Sequence, residues 1–154
     1  MNKKDTVVFD LDGTLLDTLE DLKNSVNYAM TQCGYPEHTL DEVRRYVGNG
    51  ILLLMQRAIP GGKDDPNFDK AFTLFKEHYG KHCNDTTKPY AGIMELLHTL
   101  KENNIKIAIV SNKADFAVKE LNAIYFKDFF MILYGFLFIY LSGVVLDAIV
   151  FSGF

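Results

Sequence analysis

Cysteine is scarce in this 154-residue chain. Cys33 and Cys83 stand far apart with no CxxC spacing between them, which argues for two reduced thiols rather than a disulfide framework or a structural zinc site. A basic surplus is also lacking: the formal net charge is −4, against the positive face that nucleic-acid binding needs. No nucleic-acid partner is expected. The start has no long apolar stretch, since only Val7, Val8 and Phe9 follow Thr6 before Asp10. A secretory leader needs more, so the expected location is the cytoplasm. Internal repeats and low-complexity linkers are absent as well.

Charge is missing from the last part of the chain. Of 16 basic and 20 acidic residues, only Asp147 lies beyond Asp128. Residues 129–146 form 18 consecutive uncharged positions, the lower limit for a membrane-spanning helix. The composition is otherwise that of a globular domain, with 48% hydrophobic residues, enough to bury a core.

Thr6–Phe9 is a β-branched and aromatic run, expected as a buried strand that ends in turn chemistry at Asp10-Leu11-Asp12-Gly13-Thr14. Asp17 is expected to cap a helix with Glu20 as its partner, and Leu19, Leu22, Val26, Ala29, Met30 and Cys33 make one apolar face up to Gly34. Thr39 and Glu42 have capping-box spacing for a second helix that ends before Gly48-Asn49-Gly50. An apolar segment, 51–59, stops at Pro60, and a further helix is predicted over 67–82. After Pro89 and Gly92 the pattern becomes α/β. A helix carries Ile93, Leu96, Leu97 and Leu100, Ile105–Val110 is a strand, and a helix is predicted over 114–124. Strand, helical insertion, helix, strand, helix predicts a parallel sheet with an inserted helical domain. The expected division is an α/β core of 1–15 and 86–154 with an all-helical segment of 16–85.

Two carboxylates one residue apart, directly after a buried strand, are the strongest chemical signal. Ligands of open α/β sheets bind beyond the carboxyl ends of the strands. Asp10 and Asp12 can divide nucleophilic or metal-binding work from proton transfer, and Gly13 permits close backbone approach to an anion. An Asp-Gly turn with incidental acids would show the same four letters. His78 and His82 have the i, i+4 spacing of a zinc pair, but an exposed helix face explains them as well. The aromatic stripe from Phe68 to Tyr79 reads as packing.

Val7-Val8-Phe9-Asp10-Leu11-Asp12-Gly13-Thr14-Leu15-Leu16-Asp17-Thr18 resembles the first motif of the haloacid dehalogenase superfamily of phosphohydrolases. Ile107-Ala108-Ile109-Val110-Ser111-Asn112-Lys113 resembles the second, an apolar strand ending in Ser or Thr. Lys88-Pro89-Tyr90-Ala91-Gly92-Ile93 resembles the return from a helical cap into the core. Within the superfamily the pattern is most similar to phosphoglycolate phosphatases. The resemblance spans 6 to about 130 and implies a Rossmann-like parallel core with an inserted cap.

It further implies a Mg2+-dependent phosphate-monoester hydrolase acting on a small phosphorylated metabolite such as 2-phosphoglycolate. Asp10 would be the nucleophile, forming an aspartyl-phosphate, and a metal ligand. Asp12 would be the general acid and base, with its backbone carbonyl as a second metal ligand. Leu11, Gly13, Thr14, Ser111 and Asn112 would hold phosphoryl oxygens. Arg45, Gly48 and Asn49, with Arg44 nearby, resemble the substrate-facing loop of the cap, where two solvated arginines before a glycine would look alike. A sugar-phosphate mutase could use the same aspartyl-phosphate.

The family's lysine motif and its final acidic motif would follow beyond residue 130. Between 129 and 154 there is no Lys or Arg; Asp147 stands about where the lysine belongs, and Lys113 lies too close to Ser111 to match it. The resemblance therefore predicts a truncated or altered ending, an incomplete core, and reduced or no activity for this chain. The other readings are a degenerate binding module, a membrane-associated variant with an apolar tail, and a tail that forms strands in an abbreviated core. A membrane partner is not the preferred one.

Overall fold

The computed structural model describes residues 6–129 and, as backbone, 132–134. The chain divides into two compact units: one of 1–17 and 89–154, and one of 18–88.

The first unit is α/β. Strand β1 (Thr6–Phe9) leads to the short β2 (Leu16–Asp17), and β3 (Lys88–Pro89) pairs with β2 as a two-stranded sheet. The helical unit supplies α1 (Leu19–Gln32), α2 (Leu40–Tyr46), α3 (Ile51–Ala58) and α4 (Phe68–His82). The α/β unit then continues with α5 (Ile93–Glu102), β4 (Lys106–Val110), α6 (Asp115–Tyr125) and β5 (Ile132–Tyr134). Its sheet has the order β1-β4-β5, all parallel, with Val7 opposite Ile107 and Ala108 opposite Ile132. The parallel α/β architecture with a helical insertion is the one the sequence predicts.

Strand β4 is central, which accounts for its unbroken apolar run: Ile107, Ala108 and Ile109 are all buried, as both faces of a strand covered by helices require. Around it pack Leu11, Leu97, Val118, Leu121 and Phe126. Helix α5 turns its moment inward through Leu97, while Leu96 is 41% exposed, so the apolar face is narrower than its leucines suggest. Asn103 caps α5 and Asn104 takes the left-handed conformation that ends it, the role the Asn-Asn pair predicts.

The helical unit has its own core, built on Val26, Met30, Met55, Phe75 and Tyr79. Thr39 and Glu42 form the expected capping box, with Glu42 N donating to Thr39 Oγ1 at 3.3 Å and Thr39 N to Glu42 Oε2 at 2.7 Å. The expected Asp17 cap is overturned. Asp17 belongs to β2, and Thr18 takes the N-cap position without a side-chain hydrogen bond. Pairing of β2 with β3 holds Asp17 in the strand, one residue short of the cap position.

The first turn of α1 is fixed instead by Asp21, which is 1% exposed. Its carboxylate accepts from the amides of Thr86 and Thr87 at 3.0 and 2.9 Å and from their hydroxyls at 2.7 and 2.8 Å. This clasp ties the beginning of the helical unit to the segment after α4. Burial alone would push the Asp21 carboxyl up; the four donors outweigh it and hold it below the ordinary carboxylate range.

Of the apolar run 129–146, the description covers Phe129 and the backbone of β5. Asp147 and the expected altered ending lie outside the described residues. Among the described residues, no helix is long and apolar enough to cross a membrane.

Candidate active site

The loop after β1 is a closed knot of backbone hydrogen bonds. The Leu11 carbonyl accepts from the amides of Thr14, Leu15 and Leu16 at 3.3, 3.0 and 3.0 Å, and Gly13 N donates back to the Leu16 carbonyl at 2.9 Å. Turning that tightly puts Gly13 at φ +75°, a conformation that costs a residue with a side chain roughly 1–2 kcal/mol. Leu11, Leu15 and Leu16 are fully buried anchors. The Asp-Leu-Asp-Gly-Thr-Leu-Leu order is therefore a division of labour. The leucines moor the loop in the core, the glycine bends it, and the two aspartates between them are carried at the strand's carboxyl end.

Asp10 and Ser111, from the ends of the adjacent parallel strands β1 and β4, come together. The Ser111 hydroxyl hydrogen-bonds the Asp10 carboxylate, and Leu11 N donates to Asp10 Oδ1 at 2.7 Å. Burial pushes the Asp10 carboxyl above its ordinary value and the neighbouring Asp12 charge adds to this, while the Leu11 amide, the Ser111 hydroxyl and the Lys113 charge pull the other way. A buried carboxylate whose charge is under-compensated is an environment that a cation would relieve.

Lys113 closes the group. Its Nζ donates to Asp12 Oδ1 at 2.9 Å, its side chain is 2% exposed and that of Asp12 is 30% exposed. The Lys113 amide donates to Ser111 Oγ at 3.3 Å. Sequence spacing places Lys113 apart from the family's lysine motif; the fold places its ammonium on the second aspartate.

The expected phosphate cradle is laid out differently from the simplest reading. The Leu11, Gly13 and Thr14 amides donate to protein oxygens in this structure. Ser111 is buried and Asn112 is exposed on the same turn. Oxygen donors suited to a hard cation come from the Asp10 carboxylate and the Asp12 backbone carbonyl. One or two carboxylates, completed by phosphate oxygens and water, are the ligand set Mg2+ ordinarily takes, so the residues fit the ion. Among the described residues, no cluster of three or more His, Cys, Asp or Glu is poised around a metal.

The remaining sequence candidates belong to the helical unit. Arg44 pairs with Asp41, and Arg45 Nε donates to the Asp41 carbonyl at 3.1 Å on the exposed surface of α2. Gly48 has φ +106°. Asn49 Oδ1 accepts from Arg57 Nη2 at 2.9 Å, while Arg57 Nη1 donates to the Tyr46 carbonyl at 2.6 Å. Arg57 is thus the residue that organises this loop, and nothing in its local sequence pointed to it. The His78 ring stacks on Tyr28 and on His82, each 4.3 Å away between centroids, and Nδ1 meets Ser25 Oγ at 3.0 Å. His82 Nδ1 lies 2.8 Å from Asp85.

The model of the haloacid dehalogenase-like hydrolases matches residues 7–137. The phosphoglycolate phosphatase of Thiobacillus denitrificans is 36% identical over 129 residues, covering 80% of this chain and 57% of that protein. That of Pseudomonas putida is 35% identical over 114 residues, covering 71% and 42%. The chain thus spans about half the length of the curated relatives it matches. The crystal structure of a predicted phosphoglycolate phosphatase from Haemophilus somnus superposes with a TM-score of 0.81 at 28% identity, covering 88% of this chain and 64% of that one. A matched family model over most of the chain, relatives above 30% identity and the paired strand-end site agree: the chain belongs to the haloacid dehalogenase-like hydrolases.

Proposed function

We propose that this chain carries a phosphate-monoester hydrolase site that works through an aspartyl-phosphate on Asp10, with 2-phosphoglycolate as the preferred class of substrate. The observation that carries the reading is the meeting of Asp10, Ser111 and the Asp12–Lys113 pair at the ends of adjacent parallel strands. The substrate class rests on the relatives, which are phosphoglycolate phosphatases.

In the first half-reaction an Asp10 oxygen attacks phosphorus as the bond to the alkoxide breaks, and Asp12 gives that alkoxide a proton. In the second, water attacks the phosphorus of the aspartyl-phosphate, Asp12 takes its proton, and Asp10 and inorganic phosphate are released. Ser111 would steady a phosphoryl oxygen. Phosphoryl transfer is mainly positioning and charge stabilisation, and Mg2+ held by Asp10 and Asp12 would supply positive charge to the phosphoryl oxygens. The helical unit would be the part that selects substrate, through the loop of Arg45, Gly48 and Asn49 that Arg57 holds.

The rate is part of the proposal. One carboxylate and one backbone carbonyl give Mg2+ a weaker hold than a set with another acid would, and losing one preorganised charge-stabilising group costs roughly a hundred- to a thousandfold in rate. Slow turnover is expected, measured as inorganic phosphate released from 2-phosphoglycolate and p-nitrophenyl phosphate with Mg2+. The release should require the ion and vanish in Asp10→Asn. Hydrolysis that survives in Asp10→Asn would defeat the proposal.

A further inference from the structure

We propose that Lys113 is a positioning residue that acts through Asp12, seating its carboxyl group for proton transfer; this rests on the phosphatase reading above. Three observations support it. Lysine is almost never fully buried unless paired, and the Lys113 side chain, 2% exposed, sets its ammonium 2.9 Å from Asp12 Oδ1. The contact joins residues 101 positions apart, from the loops after two adjacent parallel strands, so it sets one half of the site against the other. The Lys113 amide also donates to Ser111 Oγ at 3.3 Å, which couples the lysine to the hydroxyl that bonds Asp10.

The chemistry suits an acid that must also serve as a base. Oδ1 accepts from the ammonium in either protonation state, because a carboxylic acid keeps an acceptor oxygen beside its O–H. Oδ2 is then the oxygen that exchanges the proton, first with the departing alkoxide and later with the attacking water. The lysine need not move between the two half-reactions. A pure structural staple would require none of this, since a buried ion pair is weak support for stability when compared with apolar side chains of the same size.

The experiment separates the half-reactions. p-Nitrophenolate leaves without needing a proton, so its burst under single-turnover conditions reports attack by Asp10. The decay of the aspartyl-phosphate reports the water activated by Asp12. Lys113→Met should slow the decay by about tenfold to a hundredfold, part of the factor general acid–base catalysis contributes, with a smaller loss in the burst. Lys113→Arg should recover part of the decay rate. In an Asp12→Asn background, Lys113→Met should cost nothing further, as expected of two residues that act as one.

An unchanged decay rate with a lowered Tm would make Lys113 a staple and overturn the proposal. Additive losses in the double variant would overturn it too, by placing the lysine on the phosphoryl group itself. A wild-type chain with no Asp10-dependent burst would remove the reaction, a different result from an unaffected Lys113→Met.

Discussion

Removing the Asp21 carboxylate should loosen the helical unit, and the structure sets the size of the effect. Four donors converge on this side chain: the amides and hydroxyls of Thr86 and Thr87. They are not equivalent. Thr86 is exposed, so water can replace the carboxylate there. The Thr87 hydroxyl has one proton and already lies 3.1 Å from the Cys83 carbonyl, to which it can turn. The Thr87 amide is buried and donates to the carboxylate at 2.9 Å. With that charge-assisted contact to a buried donor gone, Asp21→Ala should cost about 3 kcal/mol. For a chain of this size that is a fall in Tm of roughly 6–12 °C.

The pH dependence has a definite sign. Asp21 is held below its ordinary value, so its contribution is fully present above the unfolded value, about 3.9, and is lost as pH falls from there through the folded one. Urea unfolding from pH 3 to 7, compared between wild type and Asp21→Asn, isolates the residue. The gap should close towards the acid end. A loss under about 1 kcal/mol at neutral pH, or a gap that does not narrow, would refute the clasp.

Gly13→Ala should destabilise the α/β unit by about 1–2 kcal/mol, because alanine must adopt φ +75°; chemical denaturation measures this, and the Asp10-dependent phosphate release should fall with it. Asp10→Asn should melt above the wild type in chelator at neutral pH. The folded Asp10 is raised, so it favours folding only below the unfolded value and opposes it once pH climbs past the folded one. Adding Mg2+ should shrink that difference, since the ion would restore charge balance to the wild type alone.

Local signals carried most of the fold. The apolar run from Ile107 to Val110 reads as a buried strand because a central parallel strand is covered on both faces, and Thr39 with Glu42 reads as a cap because its partners are three residues apart. Asp17 misled because strand pairing with Lys88–Pro89 is a contact across the whole helical unit, invisible to neighbours in sequence. The same limit hid the Asp21 clasp, the Arg57 brace on Asn49 and the Lys113 contact to Asp12, each made by residues far apart or turned by the fold towards one another. Asp10 and Ser111 were legible because each ends an apolar strand. Their meeting needed only the two strands to be adjacent and parallel.

The most direct test of the account is to find the phosphoryl group. The chain is mixed with Mg2+ and p-nitrophenyl phosphate, quenched in acid, digested and mapped by mass. A hydroxylamine-sensitive gain of one phosphoryl group on the peptide holding Asp10, absent in Asp10→Asn, is the result expected. Phosphate found on another residue, or persisting after Asp10→Asn, would contradict the account.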